Sequence, residues 1–116
     1  MTNILNPIFL PTHTGPDAVK YIVNHAELAT VVCSGAAFPK LAAAASSCQS
    51  LRRIVLMDSA PTNARSLLPN HIELYDFKDL IERGAQIPRA PTPPAADDIF
   101  CIMYTSGTTG DPKVRT

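Results

Sequence analysis

The chain has 116 residues, enough for one domain and too few for two. Its 10 basic and 10 acidic residues cancel, which leaves no electrostatic reason to expect nucleic acid or an anionic membrane as partner. A 46% hydrophobic content can build a core, yet the longest apolar runs, residues 41–45 and 99–104, fall far short of the ~20 residues that a membrane-spanning helix needs.

Residues 1–14 carry Pro7 and Pro11 and show no period, so they are expected to be irregular. They also lack the basic stretch that opens a secretory signal. Residues 15–27 turn helical: Pro16 suits the first turn and Asp17 complements the helix N-terminus. Val19, Ile22, Val23 and Ala26 form one apolar stripe. "ATVVC" (29–33) reads as a short buried strand. A helix is expected over 36–48, with Pro39 in its first turn and Leu41 and the alanines lying flat on a sheet. Residues 52–58 form the next strand and 61–69 a loop between two prolines.

"HIELY" (71–75) alternates as a strand does, and residues 76–85 form a helix. Asp76 is its cap, Phe77, Leu80 and Ile81 are its expected buried face, and Gly84 is its expected C-terminal cap. Residues 88–98 hold four of the 11 prolines and read as a stiff linker. The chain then enters "IFCIMY" (99–104), apolar on both faces as a central parallel strand must be. Helices alternating with strands define an α/β fold, part of a doubly wound, mostly parallel sheet with flanking helices. On that reading residues 15–116 are one partial α/β domain, and its last strand is expected to leave an edge unpaired.

Cys33, Cys48 and Cys101 form no close pair and read as reduced core residues, which suits an intracellular protein. His13, His25 and His71 lack metal-ligand spacing and read as surface or helix-face residues, so no metal site is expected. Asp97 and Asp98 are adjacent on an extended stretch, point to opposite faces and read as a solvated strand entry. Tyr104 reads as a core residue.

The chemistry-bearing stretch is "YTSGTTGDPK", residues 104–113. A Gly- and hydroxyl-rich turn at the carboxyl end of a strand exposes backbone N–H groups where open α/β sheets bind ligands. Gly107 and Gly110 let the backbone approach an oxygen closely. Thr105, Ser106, Thr108 and Thr109 add hydroxyl donors, and Lys113 adds a positive charge suited to phosphate. Together they describe a polyphosphate cradle; an ordinary flexible turn is the plainer alternative. The order of residues matches neither a Walker A loop nor a Rossmann fingerprint.

That stretch resembles the phosphate-binding signature of the AMP-forming (adenylate-forming) ligases. "GPDAVKYIVNHAELATVVC", "LRRIVLMD" and "DDIFCIMYTSGTTGDPK" resemble the long-chain fatty acyl-CoA synthetases among them. The resemblance covers about residues 14–113. It implies a ligase that joins a fatty acid to coenzyme A, using ATP and Mg2+ and passing through an acyl-adenylate. Thr105, Ser106, Gly107, Thr108, Thr109, Gly110 and Lys113 would hold the β- and γ-phosphates. No catalytic residue of the family falls within this chain, so it is expected to be catalytically incomplete alone. The resemblance also implies a cytoplasmic location or peripheral association with an organelle membrane.

Val114 stands where the family has Gly, and a β-branched residue penalises a positive φ there. Two other readings compete. An aryl-CoA ligase shares the loop and would differ in its acyl pocket. A non-catalytic α/β module would reveal itself by co-purifying with an intact ligase.

Overall fold

The computed structural model describes residues 8–9, 15–105 and 113–115. Among the described residues six strands and three helices follow in the order β1 (Ile8–Phe9), α1 (Pro16–His25), β2 (Thr30–Cys33), α2 (Phe38–Ala45), β3 (Arg53–Leu56), β4 (Glu73–Asp76), α3 (Phe77–Gln86), β5 (Ile102–Thr105) and β6 (Lys113–Arg115). A single 3-10 turn, Ala64–Leu67, lies in the loop between β3 and β4.

The strands form two sheets. In the first, β2, β3 and β4 run parallel with β3 in the middle. Val31, Ile54 and Leu74 align in register on one face, and Val32, Val55 and Tyr75 on the other. The Ile54 face meets the core built from Val19 and Val23 of α1, Phe38, Leu41, Ala44 and Ala45 of α2, and Leu51 and Ile72 beside the strands. The expected stripe of α1 is confirmed by burial of Val19, Ile22 and Val23. The expected flat packing of α2 is likewise seen at Leu41, Ala44 and Ala45, although this helix is shorter than 36–48. The fold class is therefore α/β, a parallel three-stranded sheet with flanking helices.

α1 stops in a two-bond motif. Leu28 N–H donates to Val23 O at 2.9 Å and Glu27 N–H to Asn24 O at 3.2 Å, which requires a left-handed residue at Glu27, where φ is 51°. Asn24 then pins the helix end to the turn before β3. Its Nδ2 donates to Ser47 O at 3.0 Å and its Oδ1 accepts from Gln49 N–H at 3.2 Å.

The second sheet has the order β1-β5-β6, with β1 parallel and β6 antiparallel to β5. The stretch read as a central parallel strand over 99–104 is a strand only from Ile102, with one antiparallel neighbour and Phe100 and Met103 exposed; it is paired on both sides, and the edges of this sheet fall on β1 and β6 instead. The same sheet puts a strand at Ile8–Phe9, inside the stretch expected to be irregular. A two-residue strand carries no period to read, and only its pairing with Ile102 and Met103 defines it. Residues 88–98 are exposed throughout and contain no helix or strand, as a proline-rich connector should.

α3 departs most from its sequence pattern. Asp76 caps it as expected, its Oδ1 accepting from Lys78 N–H at 2.9 Å. The apolar face is present but not buried: Phe77 is 45% and Ile81 57% exposed, and Leu80 is half-buried. Gly84 lies within the helix, and Ile87 occupies the cap position. Amphipathic spacing fixes which residues share a face, and says nothing about what covers it.

Candidate functional site

β5 is the strand that delivers the hydroxyl-rich stretch. Its register with β6 pairs Met103 with Arg115, Tyr104 with Val114 and Thr105 with Lys113. The backbones of Thr105 and Lys113 thus meet across one rung, although the whole of 106–112 separates them in sequence. Ser106, Gly107, Thr108, Thr109 and Gly110 lie outside the described residues. Val114 lies in a strand, where β-branched residues are favoured and no positive φ is needed. That removes the strain expected from replacing a Gly at this position.

Threonine is a hydroxyl donor and lysine a cation, and neither competes with a phosphate as a carboxylate would. No three His, Cys, Asp or Glu side chains gather to hold a metal among the described residues.

The site has a support that sequence reasoning missed. His25, at the end of α1, sets Nδ1 2.7 Å from the hydroxyl of Tyr104 on β5. Tyr21 stacks on the same imidazole. Tyr104 is half-buried rather than a core residue, and burial, with Tyr21 adding, pushes its phenol up. The readable signal was the four-residue spacing of Tyr21 and His25 on one helix face; the contact with residue 104 had none.

At the carboxyl ends of β2 and β3, Gly35 N–H donates to Asp58 Oδ1. Cys33 beside them is buried, and its thiol is pushed up to about 11 by burial first and by Asp58 second. Cys48 is buried as expected, and Cys101 is only half-buried. An open groove of ≈ 860 Å³ lies along Lys20, Asn24, Glu27, Ser47, Gln49 and Ser50. Its polar groups serve the fold: Asn24 makes the two bonds above and Ser50 Oγ donates to Leu28 O at 2.9 Å. Asp97 and Asp98 are exposed, and Asp98 Oδ2 accepts from Ala95 N–H at 2.6 Å, a turn bond at the strand entry.

A parallel sheet with flanking helices, and a further strand that leads into the Gly- and hydroxyl-rich stretch, make this an α/β protein. The AMP-binding enzyme family matches residues 4–114, and the chain belongs to that family. It is 37% identical over 103 residues to the peroxisomal long chain acyl-CoA synthetase 6 of Arabidopsis thaliana, a match covering 85% of this chain and 14% of the relative. It is 39% identical over 109 residues to the peroxisomal acyl-CoA ligase 891 of Penicillium brevicompactum, covering 84% of this chain and 15% of that one. The chain thus spans about a seventh of the length of these relatives. The adenylation domain of a carboxylic acid reductase from Segniliparus rugosus, solved with AMP and a co-purified carboxylic acid, superposes with a TM-score of 0.78. That match covers 88% of this chain and 19% of the reductase domain at 24% identity, a likeness of fold.

Proposed function

We propose that this chain carries the ATP-phosphate-binding segment of an AMP-forming long-chain fatty acid–CoA ligase. In the reaction a fatty acid and ATP give an acyl-adenylate and pyrophosphate, and coenzyme A then displaces AMP to form the thioester. Thr105, Ser106, Gly107, Thr108, Thr109, Gly110 and Lys113 are assigned to the β- and γ-phosphates. Their task is to orient the leaving pyrophosphate and neutralise its charge. The observation that carries this reading is the register of β5 with β6, which sets Lys113 opposite Thr105. The donor set fits a polyphosphate. Magnesium would be held by the phosphates together with a carboxylate from outside this stretch, so no step through the metal is assigned to these residues.

Similarity to a long-chain synthetase at 37% identity favours a long-chain substrate over an aryl acid. Peroxisomal location is a property of those relatives. For this chain we infer an intracellular setting, cytoplasmic or at an organelle surface. No helix among the described residues is long and apolar enough to cross a membrane.

Calorimetric titration of the 116-residue chain tests the assignment. ATP is expected to bind weakly, tripolyphosphate to compete with it, and adenosine to have no effect. Lys113→Ala is expected to weaken binding about tenfold, the worth of a charge-assisted hydrogen bond. Adenosine competing in place of tripolyphosphate, or full affinity in the Lys113 variant, refutes the assignment. With ATP, oleate and coenzyme A the chain alone is expected to form no thioester.

A further inference from the structure

Tyr21 and His25 stand one turn apart on α1, so their rings share a face. The rings stack with centroids 5.3 Å apart and planes 11° from parallel. The imidazole also meets Tyr104 edge-on at 5.9 Å and 84°, an arrangement that aromatic pairs favour. The 2.7 Å hydrogen bond between His25 Nδ1 and the Tyr104 hydroxyl closes the bridge across 79 residues of sequence. Either imidazole tautomer satisfies it: the phenol donates to a bare Nδ1, or accepts from Nδ1–H.

The bridge has a position that matters. Tyr104 immediately precedes Thr105, and its partner across the hairpin, Val114, immediately follows Lys113. A tether at Tyr104 therefore acts one rung from the point where the phosphate-binding stretch begins and ends. α1 is a rigid anchor for it, since Val19, Ile22 and Val23 are buried and Asn24 is pinned to the turn before β3.

We propose that His25 is a positioning residue: through Tyr104 it ties β5 to α1 and so fixes the strand that opens the phosphate loop. The consequence for phosphate affinity rests on the proposed function, whereas the consequence for β5 does not.

The test combines amide hydrogen exchange with tripolyphosphate titration on the 116-residue chain. His25→Phe keeps a ring against Tyr21 and removes the hydrogen bond; Tyr104→Phe removes only the hydroxyl. Each is expected to speed exchange at Ile102–Thr105 about fivefold, the usual worth of one hydrogen bond, while Val31, Ile54 and Val55 exchange as before. Affinity for tripolyphosphate is expected to fall by the same factor. His25→Asn, whose side-chain amide puts a polar atom where the imidazole carries Nδ1, is expected to restore both. The double variant His25→Phe/Tyr104→Phe is expected to be no worse than either single one.

Unchanged exchange in β5, an equal rise in both sheets, additive single effects, or no rescue by Asn overturns the inference. A wild-type chain that ignores tripolyphosphate refutes the proposed function, and the exchange rates and the Asn rescue then still decide the role of His25. A wild-type chain that binds it, with affinity unmoved in both Phe variants, shows that the bridge does not serve the loop.

Discussion

Replacing glycine by alanine is expected to have opposite signs at two positions of this chain. At Gly35, just after β2, an added Cβ would sit 2.3 Å from Ser59 O and 3.0 Å from Asp58 Oδ1. The nearer atom is a backbone carbonyl, and it cannot swing aside as a side chain would. Relieving the overlap means moving the ends of β2 and β3 apart by roughly 1 Å, since ordinary carbon–oxygen contact is about 3.3 Å. The Gly35 N–H bond to Asp58 and the Met57 N–H bond to Cys33 O, 2.9 Å, lie in the path of that movement. Overpacking of this kind costs about 1–3 kcal/mol, and loss of a hydrogen bond to a carboxylate adds about 1.5 kcal/mol. Gly35→Ala should therefore destabilise the chain by about 3 kcal/mol, a large share of the 5–15 kcal/mol typical of a domain. At Gly84, inside α3, a Cβ meets nothing within 4 Å. Gly84→Ala should stabilise by about 0.5–1 kcal/mol through helix propensity. With no tryptophan present, urea unfolding followed by far-ultraviolet circular dichroism is the suitable assay. A Gly35→Ala chain within about 0.5 kcal/mol of wild type would refute the steric reasoning, as would a destabilised Gly84→Ala chain.

Two further outcomes follow from burial. Ile54 is fully buried, so Ile54→Ala should cost about 2–5 kcal/mol, whereas Ile81→Ser on the exposed face of α3 should stay within about 0.5 kcal/mol in the same denaturation assay. Cys33 titrates near 11 when folded against 9.0 ordinarily, so above pH 9 the unfolded chain loses that proton first and stability should fall as pH rises towards 11. Iodoacetamide at pH 8, read by mass spectrometry, should label half-buried Cys101 well before buried Cys33 and Cys48, and equal labelling of all three would contradict the packing.

Much of this protein was legible before any tertiary contact was known. The stripe of Val19, Ile22 and Val23, the cap at Asp76 and the β-branched runs at 30–33 and 53–56 are local signals, written within a few residues, and each element forms, although β2, expected to be buried, is buried only at Cys33, with Val32 53% exposed. The candidate phosphate stretch is a reading of composition, of glycines, hydroxyls and a lysine at close spacing, and its residues 106–112 lie outside the described ones. What the sequence left open was every matter of partnership. The same spacing that marks α1 as buried marks α3 as buried, yet Phe77 and Ile81 face solvent, since amphipathicity orients a helix without supplying its neighbour. Pairing of Ile8 with Ile102, the rung joining Thr105 to Lys113, and the meeting of His25 with Tyr104 bring together residues that share no local pattern. Only the folded chain decides such contacts, because their energy comes from groups distant in sequence and their entropic cost is met by the whole structure at once.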